Sequence, residues 1–208
     1  MKYEKMEWGT MEAVVNMLGG MEGVSALLAG KLVITKVVEA VETLLTFLGT
    51  VTIPATTTKF IAREKFVQDT SRTAKVKISF LGSNFTSWFL DKIEDPIGES
   101  IMGYYKLIKR SVDAPILKEL GGQEKAMTFI ATIFALMELQ SNGEEGALLT
   151  NGYVNIFYVP DSSGVLRAVH VRWHGVDWDV RAHSVANPVR WHVGYQVFSR
   201  NPLSTQAV

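Results

Sequence analysis

The sequence predicts an α+β fold, in which a helical N-terminal and central part packs against an antiparallel β-meander formed mainly by the C-terminal third. Apolar residues recur at helical spacing through much of the first two thirds of the chain. From residue 151 to 200 they instead alternate with polar residues between turn-forming pairs. We therefore expect one domain over residues 1–208, with 1–50 as a helical segment that can behave as a semi-independent appendage and 151–200 as the meander.

Helical spacing predicts the elements before the meander. Two short helices flank Gly19-Gly20, because glycine accepts the left-handed conformation that ends a helix. Further helices are predicted over 37–48 and 99–112, and the longest, over 123–140, is the best candidate for the central core helix. Residues 75–81 alternate polar and apolar side chains, which predicts a half-buried strand.

The meander consists of predicted strands at 153–159, 165–174 and 178–185, with a fourth at Tyr195–Ser199. If Gly175-Val176 is a two-residue loop, the register of the second and third strands follows. One face then pairs two tryptophans and several aliphatic residues, and we expect it to be buried against the helices. The other pairs Arg172 with Asp179 and His170 with Arg181, and we expect this face to be solvated.

Composition excludes several classes of function. The 21 basic and 21 acidic side chains give no net charge, whereas nucleic-acid-binding proteins usually have a basic surplus. The chain has no cysteine, which excludes disulfides, thiolate nucleophiles and cysteine-ligated metals. A charged N-terminus and short apolar runs predict neither a signal peptide nor a membrane span, so we expect a cytoplasmic protein with no membrane partner.

The C-terminal third also carries a resemblance. The stretch LRAVHVRWHGVDWDVRAHSVANPVRWHVGYQVFSRN, the two Leu-Gly-Gly turns and the segment GEEGALLTNGYVNIFYV are similar to a group of uncharacterised bacterial proteins of similar length from candidate-phylum genomes. The resemblance implies a bacterial, intracellular source. It implies no fold, activity or site.

All four histidines fall within one short segment of the chain, from His170 to His192. Imidazole and carboxylate groups at two-residue spacing on a strand can hold zinc or a similar metal. This gives one candidate site, for a divalent metal, formed by His170, His174, Asp177 and His183. Arginines lie among these residues, and their positive charge disfavours a cation there. The other interpretation is a solvated sheet face that happens to use histidine.

Aromatic and basic residues suggest a second candidate site, for stacking bases or sugars, formed by Arg172, Arg181, Arg190 and Trp191. Most aromatic residues of this region fall at positions predicted to be buried. Trp191 stands in an irregular stretch beside Arg190, so we expect it to be the exposed one.

No catalytic residue is assigned, because the sequence has no Gly-x-Ser-x-Gly, Walker A, GxGxxG or HExxH pattern. The favoured interpretation is a non-enzymatic structural or protein-interaction module with no cofactor, which binds a protein partner or self-associates. The first alternative is a metal-dependent hydrolase centred on His170, His174, Asp177 and His183. The second is a nucleic-acid-binding module that uses the arginines and Trp191, although nucleic acid is not the expected partner.

Overall fold

The computed structural model describes residues 8–31 and 43–200, and the chain divides into two units, Met1–Glu42 and Thr43–Val208. In the first unit, helices α1 (Trp8–Met17) and α2 (Met21–Leu28) are joined by a turn in which Gly19 and Gly20 have φ angles of 86° and 80°. These left-handed conformations suit glycine, which confirms the predicted end of the first helix. No helix of the described residues is long and apolar enough to span a bilayer.

The second unit contains nine strands and five helices within residues 43–200. In chain order they are β1 (Leu45–Ile53), β2 (Phe60–Ile61), α3 (Ala62–Lys65), β3 (Ile78–Leu81), α4 (Ser83–Phe89), β4 (Ile93–Glu94), β5 (Ser100–Leu107), α5 (Asp113–Glu119), α6 (Gln123–Ala126), α7 (Ile130–Leu139), β6 (Val154–Pro160), β7 (Leu166–Trp173), β8 (Trp178–Ser184) and β9 (Gln196–Ser199). Seven of the strands form one sheet in the order β1-β5-β9-β6-β7-β8-β3, and β2 pairs with β4.

The large sheet is mixed, so the predicted antiparallel meander is wrong as a description of the fold. Strands β6, β7 and β8 do form an antiparallel meander, but β9 does not follow β8 in the sheet. It lies between β5 and β6, antiparallel to β5 and parallel to β6, and β3 lies parallel to β8. Side-chain alternation predicts which face a strand buries but not which strand it pairs with. The broader α+β class agrees with the structure.

Two helix predictions are also wrong. Residues 100–107 form β5, which lies between β1 and β9 in the sheet, because aromatic and β-branched residues such as Ile101, Tyr104 and Tyr105 pack well on a pleated surface. Residues 45–48, the end of the predicted helix over 37–48, begin β1. Residues 37–42 lie outside the described residues.

The predicted helix over 123–140 is interrupted, although its role as the core helix is confirmed. It breaks into α6 and α7, because the backbone N–H of Thr128 donates to the carbonyl of Tyr158 in β6 at 2.9 Å. The carboxylate of Glu94 then accepts hydrogen bonds from Ile130 and Ala131, at 3.0 and 2.9 Å, and caps the start of α7. Seven residues of α7 are buried.

Both faces of the sheet are covered. On one face, Val171 of β7 and Trp178 of β8 pack in a cluster with Phe134 of α7. On the opposite face, Ile156 of β6 packs in a second cluster with Ile116 of α5. Since both faces bury apolar side chains, the expected solvated face of the C-terminal strands is covered along much of its length.

Candidate functional site

The predicted register of the β7–β8 hairpin is confirmed. Arg172 lies opposite Asp179 and His170 lies opposite Arg181, while the two tryptophans pair on the other face. The N–H of His174 donates to the carbonyl of Asp177 at 2.9 Å and closes the loop. The alternation of side chains along the two strands thus gathers histidine, arginine and aspartate on one face.

Asp179 is the anionic centre of this face and is only 3% exposed. Arg181 donates to its carboxylate from Nε at 3.0 Å and from Nη2 at 2.9 Å, and Nη2 of Arg172 lies 3.6 Å from Oδ2. Arg172 also donates from Nε to Nε2 of His174 at 2.9 Å. Arg172 and Arg181 therefore share one buried carboxylate as their counterion.

His170 and His183 stack on each other beside this ion pair. Their ring centroids are 5.1 Å apart with an interplanar angle of 14°. Trp191 stands edge-on against both rings, with centroid distances of 5.6 Å to His170 and 5.8 Å to His183. These contacts cover the stacked pair from the side opposite the sheet.

Trp191 is 3% exposed, so the expectation that it is exposed is wrong. Its backbone pairs with Ser111, the N–H of Trp191 donating to the Ser111 carbonyl at 2.8 Å. This pairing holds the irregular chain between β8 and β9 down on the sheet. The ring packs inward, where it is not available as a platform for stacking bases.

Beneath Trp191 lies Asp113, a fully buried carboxylate that sequence reasoning did not identify as part of a site. Its Oδ1 accepts a hydrogen bond from Nε1 of Trp191 at 2.7 Å and another from the hydroxyl of Tyr158 at 3.0 Å, while Oδ2 has no hydrogen-bond partner among the described residues. Burial raises the pKa of Asp113, although the two hydrogen bonds and the nearby His183 oppose the shift. The sequence signal was weak, because an aspartate before Ala-Pro at a helix start resembles an ordinary solvent-exposed turn.

These elements enclose a pocket of about 240 Å³, called here the arginine pocket. The described residues that line it are Val154, His170, Arg172, Arg181, His183, Val189, Arg190, Trp191, His192 and Tyr195. All four residues of the predicted aromatic and basic site are among them. The lining thus combines three arginines with three histidines on one concave surface.

The pocket carries a positive surplus. Arg172 and Arg181 share the single carboxylate of Asp179, and Arg190 is exposed and makes no ion pair within residues 8–31 and 43–200. Three guanidinium groups against one carboxylate leave two positive charges. Because the walls are partly desolvated, these charges act more strongly on a bound ion than charges in open water.

Burial disfavours the charged form of two histidines of the pocket, His170 and His183. Burial, assisted by the neighbouring His183, lowers the pKa of His170 to about 3, and burial lowers the pKa of His183 as well. His170 is 8% exposed, and its Nδ1 is buried without a hydrogen-bond partner in residues 8–31 and 43–200. The ring therefore has hydrogen-bonding capacity that the described part of the protein leaves unused.

The structure does not gather the four predicted metal ligands. His170 and His183 are together, but His174 lies at the other end of the face beside Arg172, and Asp177 accepts a hydrogen bond from the hydroxyl of Ser79 at 2.7 Å. Among the described residues, no group of three or more histidine or acidic side chains is placed to hold a metal ion. Arg172 and Arg181 line the same pocket as His170 and His183, so their positive charge opposes a cation there.

Comparisons with known proteins add no assignment: no family model matches the chain, and neither a curated protein nor a solved structure is similar to it.

Proposed function

We propose that this protein is a non-enzymatic binding module, whose small-molecule ligand presents an anionic group of the phosphate type to the arginine pocket. The observation that carries the proposal is the unbalanced charge of the pocket. Arg172, Arg181 and Arg190 line one concavity of about 240 Å³, and Asp179 is the only carboxylate paired with them among the described residues. A bound anion neutralises this surplus.

The geometry of Arg181 supports anion binding. Its guanidinium is held by the carboxylate of Asp179 and lies 4.7 Å from the ring centroid of Phe80 in the neighbouring strand. A guanidinium that is already fixed loses little conformational entropy when it binds, and its planar set of donors matches a phosphate or carboxylate. Arg190, which is exposed, supplies another guanidinium that forms no ion pair with the part of the chain that the structure describes.

The chemistry of the lining supports binding rather than hydrolysis. None of the described residues that line the pocket is a serine, threonine, lysine or carboxylic acid, so the usual covalent nucleophiles and carboxylate general bases are missing from its wall. Asp113 is fully buried behind Trp191 and is already engaged by two hydrogen bonds. The arrangement thus offers guanidinium donors that can hold an anion.

The experiment is a calorimetric titration of the full chain with inorganic phosphate at low and moderate salt. We expect saturable binding that weakens as salt rises, because the pocket is only partly shielded from solvent ions. Arg190→Gln removes the unpaired charge at an exposed position, so it preserves the fold. Loss of one charge-assisted hydrogen bond lowers the affinity about tenfold or more.

The matched control is Arg72→Gln, which removes an exposed arginine from the loop before β3. It changes the net charge by the same amount, and we expect the affinity for phosphate to be unchanged. The proposal is wrong if phosphate does not bind, or if the two variants weaken binding equally, since the second result would indicate a general charge effect and not a site.

A further inference from the structure

A second cavity opens beside the arginine pocket. It has a volume of about 420 Å³, is called here the tyrosine cavity, and is lined by Arg110, Gly152, Tyr153, His192, Val193 and Tyr195. His192 and Tyr195 also line the arginine pocket. The two shared wall residues make the cavities neighbours, the basic one over β7 and β8 and the aromatic one beside the start of β6.

The tyrosine cavity offers aromatic ring faces at fixed positions. Tyr153 and Tyr195 meet edge to face, with centroids 5.9 Å apart and an interplanar angle of 88°. Tyr195 in turn contacts Trp191 at a centroid distance of 6.4 Å, which ties it to the covered core of the site. Tyr153 is 45% exposed, so part of its ring remains open to a ligand.

A glycine makes this arrangement possible. Gly194 has a φ angle of 91°, and a Cβ there would lie 2.8 Å from Cε1 of Tyr153. Any other residue would meet the tyrosine ring and would also have to adopt a left-handed conformation. The ring of Tyr153 therefore packs directly against the backbone at Gly194, and this contact restricts the orientation of the ring toward the cavity.

We propose that the ligand is a nucleotide, whose phosphate lies in the arginine pocket and whose base stacks on Tyr153 in the tyrosine cavity. This inference rests on the proposed function and specifies its ligand class. Stacking is sequence-tolerant because every base has a π-face, and Arg110 at the cavity wall provides donors for base oxygen and nitrogen atoms. A cavity of about 420 Å³ falls in the range that encloses small molecules of nucleoside size.

The test compares three probes by calorimetry on the full chain: adenosine 5′-monophosphate, ribose 5-phosphate and adenosine. The nucleotide is expected to bind about tenfold more tightly than ribose 5-phosphate, the fold-change that one stacked base contributes. Adenosine, which lacks the phosphate, is expected to bind weakly. Tyr153→Ala removes the stacking ring, so it brings the nucleotide to the affinity of ribose 5-phosphate and leaves ribose 5-phosphate unchanged. Tyr153→Phe keeps the ring and retains the preference.

The outcomes separate this inference from the proposed function. If ribose 5-phosphate binds as tightly as the nucleotide, or if Tyr153→Ala leaves the nucleotide affinity unchanged, the nucleotide inference is overturned while the anion site stands. If neither phosphate compound binds, both are overturned. If the nucleotide binds and Arg190→Gln does not weaken it, the phosphate does not lie in the arginine pocket, and both again fail.

Discussion

The acid stability of the protein depends on His170, because protonation would place a charge inside the fold. Burial lowers the pKa of this histidine to about 3, whereas a histidine in an unfolded chain titrates near 6.5. Between these two values the unfolded state binds a proton that the folded state does not bind. The free energy of unfolding therefore falls as the pH falls through this interval. At pH 4.5, about two pH units below the unfolded pKa, the loss from this one group is about 3 kcal/mol.

His170→Phe keeps an aromatic ring between His183 and Trp191 but removes the titrating group. We expect urea unfolding, followed by tryptophan fluorescence at pH 7 and pH 4.5, to show that the wild type loses about 3 kcal/mol more than this variant on acidification. Because each protein is compared with itself at two pH values, the pH-independent effect of the substitution on the free energy of unfolding cancels. His192→Phe, at an exposed position, is the control and should follow the wild type. Equal losses in the wild type and His170→Phe would refute the assignment of a buried neutral imidazole.

The remaining predictions concern two packing features of the same unit. Trp191→Phe removes the indole N–H that donates to Asp113 at 2.7 Å, and Tyr158→Phe removes the hydroxyl that donates to the same carboxylate at 3.0 Å. We expect each variant to lower the free energy of unfolding, measured in urea, by about 1–3 kcal/mol, because the buried carboxylate loses a hydrogen-bond donor. Gly143→Ala should lower the stability by about 1–3 kcal/mol, measured as the urea midpoint, since Gly143 has a φ of 75° and its added methyl group would meet the indole of Trp173. An unchanged midpoint in any of the three would contradict the corresponding contact.

The hairpin could be predicted from the sequence because two constraints act on the same few residues. A two-residue turn fixes which residues face each other, and a slip of one residue would move every tryptophan and valine to the wrong face. The pairing of His170 with Arg181 followed from that alone and agrees with the structure. The core position of α7 could also be predicted, since a helix with a broad apolar face is buried, although the break between α6 and α7 within the predicted helix over 123–140 could not.

The neighbours of β9, the strand character of β5 and the burial of Trp191 could not be predicted in this way. Each depends on contacts between residues distant in the sequence, such as the backbone pairing of Trp191 with Ser111 or the position of β9 between β5 and β6. The apolar residues of β5 happen to fit a helical stripe as well as a strand, and only the neighbouring strands decide between them. Asp113 was missed for the same reason, because its partners lie 45 and 78 positions away.

The arginine pocket lies where the covering layer of the sheet changes from helix to irregular chain. Over β6, the apolar residues Ile116 and Leu117 of α5 pack against the sheet, and the one carboxylate at the start of this helix, Asp113, is fully buried. Over β7 and β8 the cover is Trp191 on an irregular segment, which shields the strands without presenting a continuous apolar surface. Side chains there are partly exposed, so charged groups keep part of their hydration. Their interactions with one another are nevertheless stronger than in water. The burial of His170 and the partial exposure of the arginines that are proposed to bind an anion both follow from this change in the cover of the sheet.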